Sequence, residues 1–77
     1  MARAVVLLNT EAGLDTEAAG ALKEVDGVSD VYLVSGLYDV VATVTGASAE
    51  DILHTVYNRV RIIEGVEATH TMFCLEP

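Results

Sequence analysis

Twice in this chain a stretch of helical periodicity leaves through the same four-residue exit and enters a β-rich run: Val25-Asp26-Gly27-Val28 and Ile63-Glu64-Gly65-Val66. Such an echo implies that one strand, helix, strand unit is used twice. The flanking segments fit that unit. Residues 3–9 (RAVVLLN) form a short apolar run ended by Asn-Thr-Glu-Ala-Gly, which predicts a first strand. Asp15 is placed as the N-cap of a helix, Glu17 suits the positive end of its dipole, and Ala18, Ala21, Leu22 and Val25 make an apolar stripe at helical spacing. Residues 28–35 and 39–45 predict two strands joined by a three-residue hairpin. Ser48 and Asp51 form a capping-box pattern ahead of a second helix. Its core face is read as Ile52, Leu53, Val56, Tyr57, Val60 and Ile63, with Glu50, His54, Asn58 and Arg61 opposite. Residues 66–75 predict the last strand. The order βαββαβ defines an α+β, ferredoxin-like sandwich, and right-handed crossovers put both helices on one face of the sheet.

That architecture leaves the second sheet face bare. A sheet with one wet face alternates apolar and polar residues, yet residues 4–8 and 40–44 are apolar, or nearly so, at both parities. Strands about 4.8 Å apart and about 20 Å long give an open face of roughly 400 Å². At about 25 cal/mol per Å², covering it is worth at most roughly 10 kcal/mol per subunit. The chain needs that help. It is one domain, residues 1–77, and cores of this size supply only about 3–5 kcal/mol. Cys74 is the single cysteine, so no internal disulfide can form, and His54 and His70 fall on different elements without a Cys/His cluster that would hold a metal. The expectation is a homodimer paired sheet to sheet, an α/β barrel with the helices outside.

Charge and segment length exclude several classes. Twelve acidic residues against four basic ones give a formal net charge of −8, which opposes phosphate backbones and argues against direct binding of nucleic acid. The apolar run 4–8 is too short for a signal-peptide core, and nothing approaches the roughly 18 apolar residues of a membrane span. The expected setting is cytoplasmic, with no membrane partner.

Signals for catalysis or a cofactor are weak. His70, within Thr69-His70-Thr71, is read as a strand residue hydrogen-bonded by a neighbouring threonine or backbone group, with a haem ligand or general base as the alternative. Arg59 and Arg61 lie in the last turns of a helix, where cations complement the dipole, with anion binding as the alternative. The tip between the middle strands stands out. Gly36 suits a positive φ, Asp39 suits an Asx-type brace, and Tyr38 can lie across a strand neighbour.

Gly36-Leu37-Tyr38-Asp39-Val40 between the second and third strands, Gly65-Val66 opening the fourth, and Thr69-x-Thr71 within it together resemble the effector domain of the Lrp/AsnC (feast/famine) transcriptional regulators. The resemblance covers essentially the whole chain. It implies a ferredoxin-like domain that pairs through its sheets, assembles further into rings such as octamers, and binds a small effector, usually an amino acid, at contacts between dimers. It implies that Gly36, Leu37, Tyr38 and Asp39 supply main-chain groups and a carboxylate to the effector, and that Thr69 and Thr71 line the same crevice. An α-amino acid carries one cation and one anion, so an acceptor carboxylate beside exposed N–H groups suits it.

Family members usually carry a helix-turn-helix domain ahead of this module, whereas this chain starts almost directly at its first strand. The module either stands alone or is part of a longer regulator; the Met1-Ala2-Arg3 start and the acidic surface favour the stand-alone form, with any effect on transcription exerted through DNA-binding relatives, and metabolite sensing or buffering without DNA equally open. No enzymatic activity and no cofactor are expected. Two other readings share the fold: a dimeric α/β barrel enzyme of the small monooxygenase or haem-degrading type, and a structural or ACT-like regulatory oligomerisation module.

Overall fold

The echo is realised as two halves with the same order of elements. In the computed structural model, which describes residues 1–77, β1 (Ala2–Thr10), α1 (Asp15–Lys23) and β2 (Val28–Leu33) form the first half. The second comprises β3 (Val40–Gly46), α2 (Ala49–Thr55) with a π-helical turn over Val56–Val60, and β4 (Val66–Phe73). One four-stranded sheet has the order β2-β3-β1-β4, with every neighbouring pair antiparallel. This is the ferredoxin-like topology.

The two exit turns are equivalent in detail. Gly27 (φ 96°) and Gly65 (φ 93°) both take a left-handed conformation that costs glycine little. The Val28 N–H donates to Val25 O and the Val66 N–H to Ile63 O, each at 3.1 Å. Each glycine carbonyl then ties its turn to the far end of a central strand: Gly27 O accepts from Thr45 N–H at 2.8 Å, and Gly65 O from Glu11 N–H at 2.7 Å. The repeat seen in the sequence is therefore a repeat of hydrogen bonding.

Alternate residues of the central strands are fully enclosed. Ala4, Val6 and Leu8 of β1 and Val40, Ala42 and Val44 of β3 pack against Ala19 and Leu22 of α1 and Ile52, Val56 and Val60 of the second helical segment. The other parity faces outward. Register places Tyr32, Val41, Leu7 and His70 in one row across the sheet, and Asp30, Thr43, Val5 and Met72 in the next. No element of the chain lies over these rows, so the face expected from the sequence is bare, with Val5, Leu7 and Val41 apolar at its centre and Asp30, Thr43 and His70 among them.

Four details differ from the expectation. Leu14, not Asp15, is the N-cap of α1, and the Asp15 carboxylate instead accepts from Thr16 N–H at 2.9 Å. Ser48 does cap α2, its Oγ accepting from Asp51 N–H at 3.2 Å. Leu53 and Tyr57, read as core, are 40% and 59% exposed. The reason is the spacing of Ile52, Val56 and Val60: each four-residue step overshoots a 3.6-residue turn by about 40°. The wider π turn, marked by Arg61 N–H donating to Val56 O at 2.9 Å, absorbs the excess and keeps those three residues facing the core. Finally, β4 ends at Phe73, and the link between β2 and β3 is a six-residue loop, 34–39, rather than a three-residue hairpin.

Candidate functional site

The longer loop follows from where its polar groups find partners. The Asp39 N–H donates to Leu8 O at 2.9 Å, on β1, instead of pairing across to β2. Asp39 O accepts from Val34 N–H at 3.0 Å and closes the loop at its base. The Asp39 carboxylate reaches the end of β1, where Oδ2 accepts from Thr10 N–H at 2.8 Å and stands 3.4 Å from Thr10 Oγ1. Asn9 completes the clamp, its Nδ2 donating to Leu37 O at 2.8 Å. The loop is thus drawn across the end of β1 toward β4.

Tyr38 arrives at His70 of β4, their ring centroids 5.5 Å apart and inclined at 68°. Edge-to-face geometry of this kind fixes a ring without a hydrogen bond. Gly36 has φ 115°, with open space where a Cβ would stand, and the Leu37 side chain is 87% exposed. The base of the loop is anchored while its tip presents a glycine backbone and a leucine to solvent.

Thr69 and Thr71 lie on the other side of β4. They pair with Leu8 and Val6, whose side chains enter the core, so both threonines share the helix-facing side, while His70 between them points to the bare face. There they line an open groove of about 490 Å³ between α2 with its π turn and the edge strand β4. Leu53, Val56, Val66 and Ala68 supply apolar lining, and Tyr57, Arg61 and Glu67 complete it. The Arg61 guanidinium lies 4.7 Å from the centroid of the Tyr57 ring. The sequence pattern assigned Arg61 to the solvent side and Tyr57 to the core; the π turn carries both to the rim of this groove.

The six residues singled out by sequence therefore form two groups within one chain. Gly36, Leu37, Tyr38 and Asp39 make the anchored loop, Thr69 and Thr71 make the groove, and the backbone of β4 separates them. Sequence reasoning missed Tyr57 and Glu67 as groove residues and Asn9 and Thr10 as anchors of the loop. Asn9 and Thr10 carried a signal, being polar residues at the end of an apolar strand. No group of three or more His, Cys, Asp or Glu side chains converges to hold a metal ion, and no helix is long and apolar enough to cross a membrane.

Comparison with known proteins identifies the family and supports the fold. Residues 3–77 match the family described as Lrp/AsnC ligand binding domain. The HTH-type transcriptional regulator FL11 of Pyrococcus furiosus is 36% identical over 73 residues, which are 95% of this chain and 48% of that protein. The chain thus spans about half the length of the curated relatives it matches. Among solved structures, TTHA0845 from Thermus thermophilus superposes with a TM-score of 0.93 at 31% identity, covering 100% of this chain and 96% of that one. PHS023 from Pyrococcus horikoshii gives 0.90 at 26% identity, covering 100% and 93%.

Proposed function

Because the chain belongs to the Lrp/AsnC ligand-binding domain family, we propose that it is an effector-sensing and oligomerisation module whose ligand is an amino acid. Two copies pair through the bare sheet faces into a two-layer barrel, and the dimers assemble further into a ring such as an octamer. The effector sits where loop 34–39 of one subunit meets the groove at Thr69 and Thr71 of another. Gly36 and Leu37 offer main-chain groups and an apolar contact, Tyr38 walls the crevice, and Asp39 offers Oδ1, which no group of its own chain engages. Thr69 and Thr71 offer hydroxyls from the facing subunit. The relatives are transcriptional regulators, and no catalytic step is assigned to this chain.

The observation that carries this reading is the split itself. A loop clamped at its base by Asn9, Thr10 and Leu8 is rigid enough to present a site, yet its exposed tip stands on the opposite side of β4 from the threonines. A second subunit would bring the two groups together. With a net charge of −8 this domain is itself a poor partner for DNA, so any effect on transcription is exerted through a DNA-binding domain to which it is joined or with which it associates.

A thermal-shift screen against the twenty amino acids, with sedimentation alongside, tests the proposal. A ligand at 100 times its Kd adds about 2.7 kcal/mol to the native state, a shift of roughly 10 °C or more for a domain of this size. Assembly unaffected by any amino acid, with no thermal shift, would leave the structural oligomerisation reading in its place.

A further inference from the structure

We propose that charge fixes how the bare sheet face receives a second copy of this chain: Asp30 of each copy stands against the partner's His70, flanked by the partner's Arg3, and the pairing tightens when His70 is protonated. This rests on the sheet-paired dimer above and names the residues that meet in it. Strand register sorts the outward side chains into rows. Arg3 and Thr45 share one; Asp30, Thr43, Val5 and Met72 the next; Tyr32, Val41, Leu7 and His70 the third. The centre of the face is apolar and its charge is divided between the two sides. Asp30, the one acid in these rows, is on edge strand β2, whereas His70 is on the opposite edge strand β4 and Arg3 on β1 beside it. None of the three makes a side-chain hydrogen bond within its own chain.

Two copies can face each other about a two-fold axis that runs across the strands or along them. Across the strands, each strand covers its own counterpart. Asp30 then comes nearest to the partner's Asp30, and the partner's His70 is three strand spacings away, roughly 14 Å. Two like charges lose water together there, an arrangement that rejects the pairing. Along the strands, the order β2-β3-β1-β4 is reversed in the partner, so β2 lies over the partner's β4 and β3 over the partner's β1. Val5, Leu7 and Val41 of the two copies then meet at the centre. Asp30 falls one row from the partner's His70, about 7 Å along the strands, and one row and one strand from the partner's Arg3, roughly 8 Å. Side chains cross the gap of about 10 Å between packed sheets, and the usual rotation of about 30° shortens one of the two diagonals. Symmetry repeats the contact at the other edge. Only this orientation covers Asp30 beside opposite charge, as a desolvated carboxylate requires.

Around His70 the neighbouring side chains are the Tyr38 ring of the loop, Leu7 of β1, and Ala68 and Met72 on its own strand, none of them charged near neutral pH; the Asp39 carboxylate is turned to Thr10. The partner's Asp30 therefore makes the dimer hold the His70 proton more firmly than the monomer does. By linkage, association strengthens as pH falls through the range in which imidazole gains charge and weakens as pH rises. Sedimentation of the full chain should show the wild-type dimer tightening by about two- to thirty-fold from pH 8 to pH 6, from two contacts of modest strength, and His70→Gln should remove that response. Asp30→Lys sets cation against cation and His70→Asp sets acid against acid, so each variant alone should lose at least about ten-fold in dimer affinity. Mixed in equal amounts they have opposite charges at one contact and the native pair at the other, and the mixed dimer should form with nearly wild-type affinity. A wild-type dimer indifferent to pH in this range would overturn the inference without any variant having to fold. Folded Asp30→Lys and His70→Asp chains that stay apart when mixed would also overturn it and leave sheet pairing standing. A wild type that sediments as a monomer at both pH values would remove the sheet-paired reading itself.

Discussion

Replacing Asp39 by alanine removes a charged acceptor from the backbone N–H of Thr10. Thr10 is only 9% exposed, and its N–H donates to Asp39 Oδ2 at 2.8 Å. A hydrogen bond to a charged group contributes about 1.5–3 kcal/mol. Asp39 is itself only half-buried, so water can partly replace the lost acceptor, and the lower half of that range applies. The Thr10 Oγ1 contact, at 3.4 Å, is too long to add much. An expected loss of about 1.5–2 kcal/mol translates into a fall in Tm of roughly 6–16 °C for a domain of this size. Asp39→Asn keeps a neutral acceptor in place and should lose only about 1 kcal/mol. Urea denaturation at matched protein concentration measures both, since association contributes to apparent stability. The same pair of variants tests the ligand role. If Oδ1 pairs with an effector ammonium, Asp39→Asn should lose about ten- to a hundred-fold in amino-acid affinity while most of its stability remains. An Asp39→Ala protein with an unchanged urea midpoint would refute the structural argument. An Asp39→Asn protein with unchanged affinity would refute the ligand argument.

Leu7→Asp places a charge in the middle of the bare sheet face, in the row with Val41 and His70; it should abolish sheet pairing, and sedimentation of a stable dimer in this variant would remove the barrel from the proposal. Gly65→Ala should cost more than Gly13→Ala, because both have positive φ but only at Gly65 would a Cβ stand 2.8 Å from Leu14 Cβ; we expect about 1–3 kcal/mol for the backbone at each and a further steric loss at Gly65 alone, read from urea midpoints. Leu22→Ala, at a fully enclosed core position, should cost about 2–5 kcal/mol by the same measurement. The isolated chain should not retard duplex DNA in a gel at physiological salt, with or without amino acids.

The fold was legible because both of its signals are local. The Val25–Val28 and Ile63–Val66 echo fixes two equivalent exits, and glycine is the one residue type that enters those turns without strain. Apolar residues at both parities of residues 4–8 and 40–44 announced a second face in need of cover. What escaped was non-local. The loop is long because Asp39 N–H finds Leu8 O on β1, a partner that only the folded sheet brings near. Leu53 and Tyr57 left the core because a π turn re-phases the helix, and a pattern read at a constant 3.6 residues per turn cannot register that change. The candidate site shows the same division. Resemblance to the Lrp/AsnC effector domain marked the loop and the Thr69-x-Thr71 pair, but which face of β4 each group occupies depends on strand register. Arg61 and Glu67 became site residues only once the groove was visible.

In the proposed site, the position of Thr69 and Thr71 would tie sensing to assembly. If the crevice is completed by the loop of a neighbouring subunit, neither a monomer nor a sheet-paired dimer whose loops face outward contains a whole site. Ligand then binds the assembled state better than the dissociated one, and by thermodynamic linkage assembly must raise ligand affinity by the same factor. The clamp on Asp39 sets how much of that coupling is realised. A loop already anchored to Leu8, Asn9 and Thr10 loses little conformational freedom when it meets the groove, so the association energy is not spent on ordering it. Loosening the clamp with Asn9→Ala, which removes the donor to the Leu37 carbonyl and leaves the side chains of Tyr38, Asp39, Thr69 and Thr71 unchanged, should therefore weaken ligand-driven assembly and ligand affinity together and in the same proportion. Sedimentation and calorimetry on that one variant measure both quantities. A loss in affinity with no change in assembly would separate the two processes and place the site within a single subunit.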